Sequence, residues 1–343
     1  MTTMRAAVLR AYRDLVIQEM PIPEVEPGGL LVRTHACGIC SGDIMPWYIE
    51  RKAPLVLGHE MAGVVEAASA DAPFREGDRI FAHHHAPCMK CAWCRRGLYV
   101  QCTTWKQPAI VPGGCAEFFA VSATGANFDA LIIPDHLPLE AGCLIEPLGC
   151  CVKGFNQTSD DRCSGLVVVL GLGPMGLLNL RLAKYYGAQL VIAVDTVPFR
   201  MELAKKLGAD LVLDYQTQNI EQEVREASGG KMADLVVVGP PQAAAMQSGL
   251  AVAGPGAVVL LFSPVTPGQS FTYDPNISYF KEIQFIPSYS CGPDDTQQAL
   301  ELLSAGLIDL DLFISHRFPL ERAAEAYNLV ADGRDSAKVL VTF

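Results

Sequence analysis

The segment Val169-Leu170-Gly171-Leu172-Gly173-Pro174-Met175-Gly176 constrains this chain more than any other, because three glycines join two different periodicities there. Leu166–Leu170 is a continuous apolar run of strand length, and Met175–Tyr186 carries apolar residues at helical spacing. Gly171 allows the tight turn at this junction. Gly173 lets a pyrophosphate approach the backbone, where a Cβ would block it, and Gly176 lets the helix pack closely on the strand. Pro174 suits a first helical turn, since its missing N–H would have had no helical partner, and Met175 follows it into the helix. The helix N-terminus then turns its partial positive charge to phosphate. Nineteen residues past Gly176, at the end of the next strand, stands Asp195. A carboxylate there accepts both ribose hydroxyls and repels a 2′-phosphate, so NAD is expected rather than NADP. Arg200 is a candidate to flank the adenine ribose, or else a solvated arginine at a helix start.

The alternation continues beyond this unit. Strands are expected at Leu166–Leu170, Leu190–Val194, Leu211–Leu213, Leu235–Val238, Ala257–Phe262 and Ile283–Pro287. Helices are expected at Met175–Tyr186, Phe199–Leu207, Glu221–Ala227, Gln242–Ala253 and Asp294–Ala305. Apolar strands alternating with amphipathic helices describe an α/β, doubly wound parallel sheet covered on both faces. The chain ahead of Lys153 reads instead as β-rich, with short runs at Met4–Arg10, Gly29–Ala36, Met61–Glu66 and Arg79–Ala82 between Pro and Gly breaks. The tail, Ile308–Phe343, predicts a helix at Leu320–Ala331 and a last strand at Lys338–Phe343.

A length of 343 residues allows about two domains. The 26 basic and 37 acidic residues give a net charge of −11, which argues against nucleic acid as a partner. The N-terminus has no apolar core like that of a signal peptide. The longest apolar stretch, Leu166–Leu180, is broken by glycines, Pro174 and Asn179, and falls short of the roughly 18 residues a membrane span needs. A cytoplasmic protein with no membrane association is expected.

Twelve cysteines are many for such a protein, and four are crowded as Cys88-x2-Cys91-x2-Cys94-x7-Cys102. In a reducing compartment, clustered thiols of this spacing point to metal. Four thiolates can close a tetrahedron around one Zn²⁺ with no open position, which makes a structural site; an iron–sulfur cluster is the rival reading. Lys90, Arg95, Arg96 and Lys106 lie nearby and offset its negative charge.

Gly58-His59-Glu60 follows Gly38-Ile39-Cys40, the four-cysteine lobe comes next, then Glu146-Pro147-Leu148, then the Gly-rich unit. Together these resemble the zinc-dependent medium-chain dehydrogenase/reductase family, and most nearly its sorbitol and threonine (polyol) dehydrogenases. Glu146 stands where liver-type alcohol dehydrogenases have a cysteine ligand. The resemblance covers essentially the whole chain. It implies a GroES-like catalytic domain over 1–152 with its zinc lobe at 88–102, a Rossmann NAD-binding domain over 153–290, and a segment 291–343 returning to the first domain. It also implies a homo-oligomer, dimer or tetramer. A catalytic Zn²⁺ would be held by Cys40, His59 and Glu60, with Glu146 as ligand or close neighbour of the ligands, and Asp43 orienting His59. Cys40 is preferred to Cys37 because the family's ligand sits three residues before the aspartate; Cys37 is expected to pack as a small apolar residue. Gly239, Phe262-Ser263 and Tyr289-Ser290 match positions where relatives contact the nicotinamide and its ribose. His85 would stand at the substrate mouth.

The implied reaction passes hydride between a secondary or cyclic alcohol and NAD, with zinc as Lewis acid. Two features depart from the pattern. Gly42 and Met45 replace a hydroxyl residue and a histidine that relay the alcohol proton in relatives; Ser41 is adjacent but projects differently. Met45, Trp47 and Tyr48 make that edge apolar, as ordinary packing or as a substrate wall. Two rival functions remain open at this point: an NADPH-dependent carbonyl reductase, which Asp195 opposes, and a catalytically silent dinucleotide-binding protein, which the retained metal ligands oppose.

Overall fold

The computed structural model describes residues 2–343 and divides them into two compact units. One is Cys150–Tyr289; the other joins the chain up to Gly149 with Ser290–Phe343.

In Cys150–Tyr289 the apolar runs become a six-stranded sheet. Its spatial order is Leu211–Asp214, Leu190–Asp195, Leu166–Leu170, Ala233–Val238, Ala253–Leu261 and Gln284–Pro287. Every adjacent pair is parallel. All five residues of Leu166–Leu170 are buried, as they must be in a strand covered on both faces. Val168, Leu170, Ile192, Val194, Val236, Val238 and Val259 pack into one core. The strand order reverses direction on either side of Leu166–Leu170, and in such sheets ligands bind beyond the carboxyl ends of the strands at that point. The expected α/β doubly wound sheet is present.

In the other unit, Leu30–Gly38 pairs antiparallel with Glu60–Ala68, which pairs with Arg79–Ala82. Leu30–Gly38 also pairs antiparallel with the last strand, Lys338–Thr342, with Leu340 opposite Gly38. This curled, largely antiparallel sheet encloses Leu30, Val32, Ile39, Met61, Ile80, Phe119, Val339 and Val341. Tyr327, from the helix Ala323–Asp332, is fully buried there and donates its hydroxyl to the Asp43 carbonyl at 2.8 Å.

Some elements differ from expectation. The strand expected from Ala257 begins at Ala253 and runs through Gly254-Pro255-Gly256, residues that read as a break. Gly254 fits because a Cβ would stand 2.6 Å from the Lys231 carbonyl oxygen. The helix Ile145–Asn156 and the strand Ile314–Pro319 were hidden by Pro147, Gly149 and Gly154 in one case, and by polar Ser315-His316-Arg317 in the other. Leu320–Arg322 forms a 3₁₀ turn before the α-helix expected from Leu320 begins. Among the described residues no helix is long and apolar enough to cross a membrane.

Candidate active site and metal centre

The thiol of Cys40, the imidazole of His59 and the carboxylate of Glu60 offer ligand atoms within 4.8 Å of one another. Each is set by local chain geometry. Cys40 caps the short turn Ser41–Ile44, and its Sγ accepts the Gly42 N–H at 3.2 Å. His59 follows Gly58, which takes φ +98°; a Cβ there would run into Cys37 Sγ at 2.5 Å and the Cys115 nitrogen at 2.8 Å. Glu60 opens its strand opposite Gly38, where a Cβ would collide with the Glu60 carboxylate. Cys37 is buried among these residues, its Sγ 3.6 Å from the Gly38 carbonyl oxygen.

His59 Nδ1 lies 3.3 Å from Asp43 Oδ2, which leaves Nε2 for a ligand. Burial opposes the imidazolium form of His59, but Asp43 and Cys40 outweigh it and raise its pKa well above the ordinary value. Glu60 Oε2 accepts from Lys338 Nζ at 2.5 Å, while buried Oε1 finds no hydrogen-bond partner among the described residues. A buried carboxylate oxygen without a partner is costly, and a cation beside it removes that cost. Sulfur, imidazole and carboxylate together suit zinc, so this donor set fits the ion.

Glu146 lies near enough to Glu60 for its charge to add to burial in raising the Glu60 pKa. Its ligand oxygen groups with His83 and Cys291, all three residues buried. The three consecutive histidines also divide. His83 is fully buried against Asp129, with Nδ1 2.7 Å from Oδ2. The His84 ring lies 4.7 Å from that of His59, and its Nδ1 has no partner among the described residues. His85 packs on Trp105 at 4.1 Å, with Nδ1 3.2 Å from the Gln107 carbonyl oxygen. Burial holds the His85 pKa down at about 4. The histidine touching the Cys40–His59–Glu60 group is thus His84. The sequence singled out His85, because spacing alone does not tell which ring of three consecutive histidines turns inward.

Cys88, Cys91, Cys94 and Cys102 converge as a second donor group. Cys88 Sγ and Cys94 Sγ are 3.9 Å apart, and Cys91 Sγ and Cys94 Sγ 3.5 Å. Thiolates about 2.3 Å from a tetrahedral zinc stand about 3.8 Å from one another. Burial works against the Cys102 thiolate, yet the N–H groups of Cys88, Trp105 and Thr104 pull its pKa down to about 6.

In the parallel-sheet unit, Gly171 takes φ +84°, and a Cβ on Gly176 would collide with the Gly171 carbonyl. A Cβ on Gly173 would meet nothing within 4 Å, so its outer face is open to a ligand. Gly173 caps the helix Pro174–Tyr185, with Met175 in its first turn. Asp195 ends its strand and holds the loop: Oδ2 accepts from Leu172 N at 2.5 Å, and Oδ1 from Thr196 N and Val197 N at 2.7 and 2.9 Å. Burial lowers the Arg200 pKa, while the Asp195 charge acts to raise it. Gly239 and Phe262-Ser263 follow the carboxyl ends of their strands, on the same sheet edge as Gly171 and Asp195. Tyr289 is exposed and its carbonyl accepts from Lys153 Nζ at 2.7 Å; Ser290 beside it takes φ +52°.

Residues 26–128 match the family described as Alcohol dehydrogenase GroES-like domain, and residues 174–305 that described as Zinc-binding dehydrogenase. The chain is 30% identical to a sorbitol dehydrogenase of Bombyx mori, across 99% of each chain. It is 31% identical to an L-threonine 3-dehydrogenase of Symbiobacterium thermophilum, across 98% of each. A solved structure from Sinorhizobium meliloti 1021, described as a zinc-binding dehydrogenase bound to NADP, superimposes with a TM-score of 0.88 at 26% identity, covering 100% of both chains. Matched from end to end at this level, the chain belongs to the zinc-dependent medium-chain dehydrogenases, on the side of the sorbitol and threonine dehydrogenases.

Proposed function

We propose that the protein is an NAD-dependent zinc dehydrogenase that oxidises a secondary or cyclic alcohol of polyol type. The observation that carries this reading is the convergence of Cys40, His59 and Glu60, with Asp43 on the far nitrogen of His59. Zn²⁺ held there would supply Lewis acidity toward an alcohol oxygen, and a bound nicotinamide would supply the hydride acceptor. Cys40, His59 and Glu60 hold the ion and Asp43 orients His59. Lys338 keeps one oxygen of Glu60 occupied, leaving the other to face the ion. A second zinc in the four-cysteine lobe is structural. Gly173 would receive the pyrophosphate at the helix start, with Gly171 making the turn and Gly176 seating the helix against it. Asp195 faces the adenosine ribose while its remaining contacts fix Leu172. Gly239, Phe262, Ser263, Tyr289 and Ser290 line the nicotinamide end.

The alcohol proton leaves by water beside Gly42, where a side chain is absent. The His84 ring, which packs on that of His59, borders the substrate more closely than His85. The partner is a small alcohol or ketone, and the working form is a homo-oligomer.

The test is NADH formation across a panel of polyols and cyclic alcohols, with metal content measured on the same protein. Zinc-dependent turnover, lost in Cys40→Ala with the four-cysteine zinc retained, supports the assignment. A zinc-loaded protein inert to the whole panel with both cofactors would leave the silent dinucleotide-binding protein as the better reading. The NADP bound to the Sinorhizobium relative favours a second possibility, an NADPH-dependent carbonyl reductase. Comparing kcat/KM for the two cofactors in both directions separates them.

A further inference from the structure

We propose that His83, braced by Asp129, is a positioning residue of the metal centre built on Cys40, His59 and Glu60, and that it acts by holding the carboxylate of Glu146 beside that group. This rests on the reading of Cys40, His59 and Glu60 as the catalytic zinc site.

His83 follows the strand Arg79–Ala82 and is fixed at two points by Asp129, the residue that ends the helix Ala123–Phe128. Its Nδ1 lies 2.7 Å from Asp129 Oδ2, and its backbone N–H donates to the Asp129 carbonyl oxygen at 2.9 Å. Asp129 Oδ1 in turn accepts from Thr296 Oγ1 at 2.6 Å. All three residues are buried. A carboxylate behind a histidine, itself held by a further hydrogen bond, sets the direction of the ring at metal sites. Nε2 is thereby turned to the other side, where Cys291 Sγ stands 3.8 Å away. A carboxylate oxygen of Glu146 lies within 4.8 Å of the ligand atoms of both His83 and Cys291. Cys291 Sγ also lies 3.7 Å from the Glu146 carbonyl oxygen, so the start of the helix Ile145–Asn156, which carries Glu146, is fixed from the same side.

The charge of Glu146 connects this cluster to the Cys40–His59–Glu60 group. Burial raises the Glu60 pKa, Lys338 and His59 pull against it, and Glu146 adds to the rise. Burial works against the Lys338 charge, which Glu60, Cys40 and Glu146 support. Burial likewise works against a charge on His83, which Asp129 and Glu146 support. Glu146 therefore stands within electrostatic reach of His83 and of the Glu60–Lys338 pair together. Two carboxylates brought close in a buried place repel one another, and a donor behind each one holds it there. Lys338 does this for Glu60, 2.5 Å from Oε2. His83 is placed to do it for Glu146, and so to keep a second carboxylate at a set distance from an ion on Cys40, His59 and Glu60.

The rival role for His83 is structural, as a tie between the strand Arg79–Ala82 and Asp129. The two roles use opposite nitrogens of the ring, so they can be separated. In His83→Asn the amide nitrogen takes the place of Nδ1 and keeps the donor to Asp129, while nothing remains toward Glu146. In His83→Gln the amide nitrogen takes the place of Nε2 and does the reverse.

The experiment replaces the catalytic ion with Co²⁺ and follows its visible absorption, taken as the difference from Cys40→Ala, and its release to a chelator. His83→Asn is expected to shift the absorption bands and to speed release by about 10–100-fold, with the zinc of the four-cysteine lobe retained. His83→Gln should lie closer to wild type in both readings, although its melting temperature falls with the loss of the Asp129 contact. In a Glu146→Gln background His83→Asn should add little, because residues that act through one another are not additive. A His83→Asn protein with wild-type bands and release would overturn the proposal, as would an equally large effect with Glu146→Gln already present. If His83→Asn does not accumulate, Asp129→Asn, which leaves the ring unbraced, is read against the same outcomes. A Cys40→Ala protein that keeps the wild-type bands would sink the reading of the Cys40–His59–Glu60 group itself, so the two failures are told apart.

Discussion

The ammonium of Lys338 lies 2.5 Å from Oε2 of Glu60, and both side chains are 1% exposed. Lys338 opens the last strand and Glu60 opens a strand near the start of the chain, so the pair bridges across the strand Leu30–Gly38 that lies between them. Burial works against the Lys338 charge, and Glu60 more than offsets this, raising its pKa. Removing one partner strands the other's charge in the interior. Lys338→Met is therefore expected to destabilise the protein by about 3–5 kcal/mol and to lower its zinc content. Lys338→Arg should recover part of the loss. Denaturant unfolding checks this, and a Lys338→Met protein as stable as wild type would show that the pair carries no such weight.

Cys94→Ser opens one corner of the four-cysteine group. It is expected to lower melting temperature and zinc content while leaving kcat of the surviving protein within a few-fold. Calorimetry with metal analysis reads both. Unchanged zinc and melting temperature would refute the tetrahedral assignment.

Asp195 is expected to give a strong preference for NAD, and Asp195→Ala to narrow it by removing an acceptor and a repulsion together. Because Asp195 also holds Leu172, Thr196 and Val197 through their N–H groups, Asp195→Ala should raise KM for both cofactors as the loop loosens. Asp195→Asn keeps an oxygen for some of these bonds and separates the two effects. Wild-type protein that uses NADP as well as NAD would defeat the charge argument.

His85 gives the stability a pH dependence of definite sign. Burial holds its folded pKa at about 4, against an ordinary 6.5. Between those values the unfolded chain binds more protons than the folded one. Stability should therefore fall as pH drops from about 6.5 toward 4 and level off below, with His85 contributing about 2 kcal/mol after allowance for its partial exposure. His85→Phe, which keeps the ring against Trp105, should flatten part of that slope. Melting curves at several pH values test this, and an unchanged slope in the variant would count against it.

A Cβ at Gly42 would stand 3.5 Å from Cys40 Sγ, an ordinary contact, so Gly42→Thr should fold normally. A positioned acid–base group is worth about 10²–10⁴-fold in such proton transfers. With water as the carrier, Ser41→Ala should stay within a few-fold of wild type across the pH–rate profile, while Gly42→Thr shifts the profile by displacing that water. A loss of about 100-fold confined to Ser41→Ala would restore a hydroxyl relay.

Local pattern made much of this molecule legible. Leu166–Leu170 and Arg79–Ala82 are strands that local pattern predicts, because their apolar residues are buried in the sheets they form. The strand through Gly254-Pro255-Gly256 was obscured because close approach to the Lys231 carbonyl, a long-range fact, selects glycine there. The donor sets divide in the same way. Four cysteines in one short lobe announce themselves by spacing, whereas Cys40, His59 and Glu60 became visible only through resemblance to a family.

The sequence by itself determined the doubly wound sheet, the Gly-rich turn with Asp195 at the next strand's end, and the thiol lobe. Each depends on neighbours a few residues apart, where φ/ψ preference and periodicity act. Only the tertiary structure decided which histidine meets His59, that Glu146 joins His83 and Cys291, and that Lys338 neutralises Glu60. These are pairings between residues tens to hundreds of positions apart. They are chosen by strand register and the burial of charge, and a linear pattern records neither.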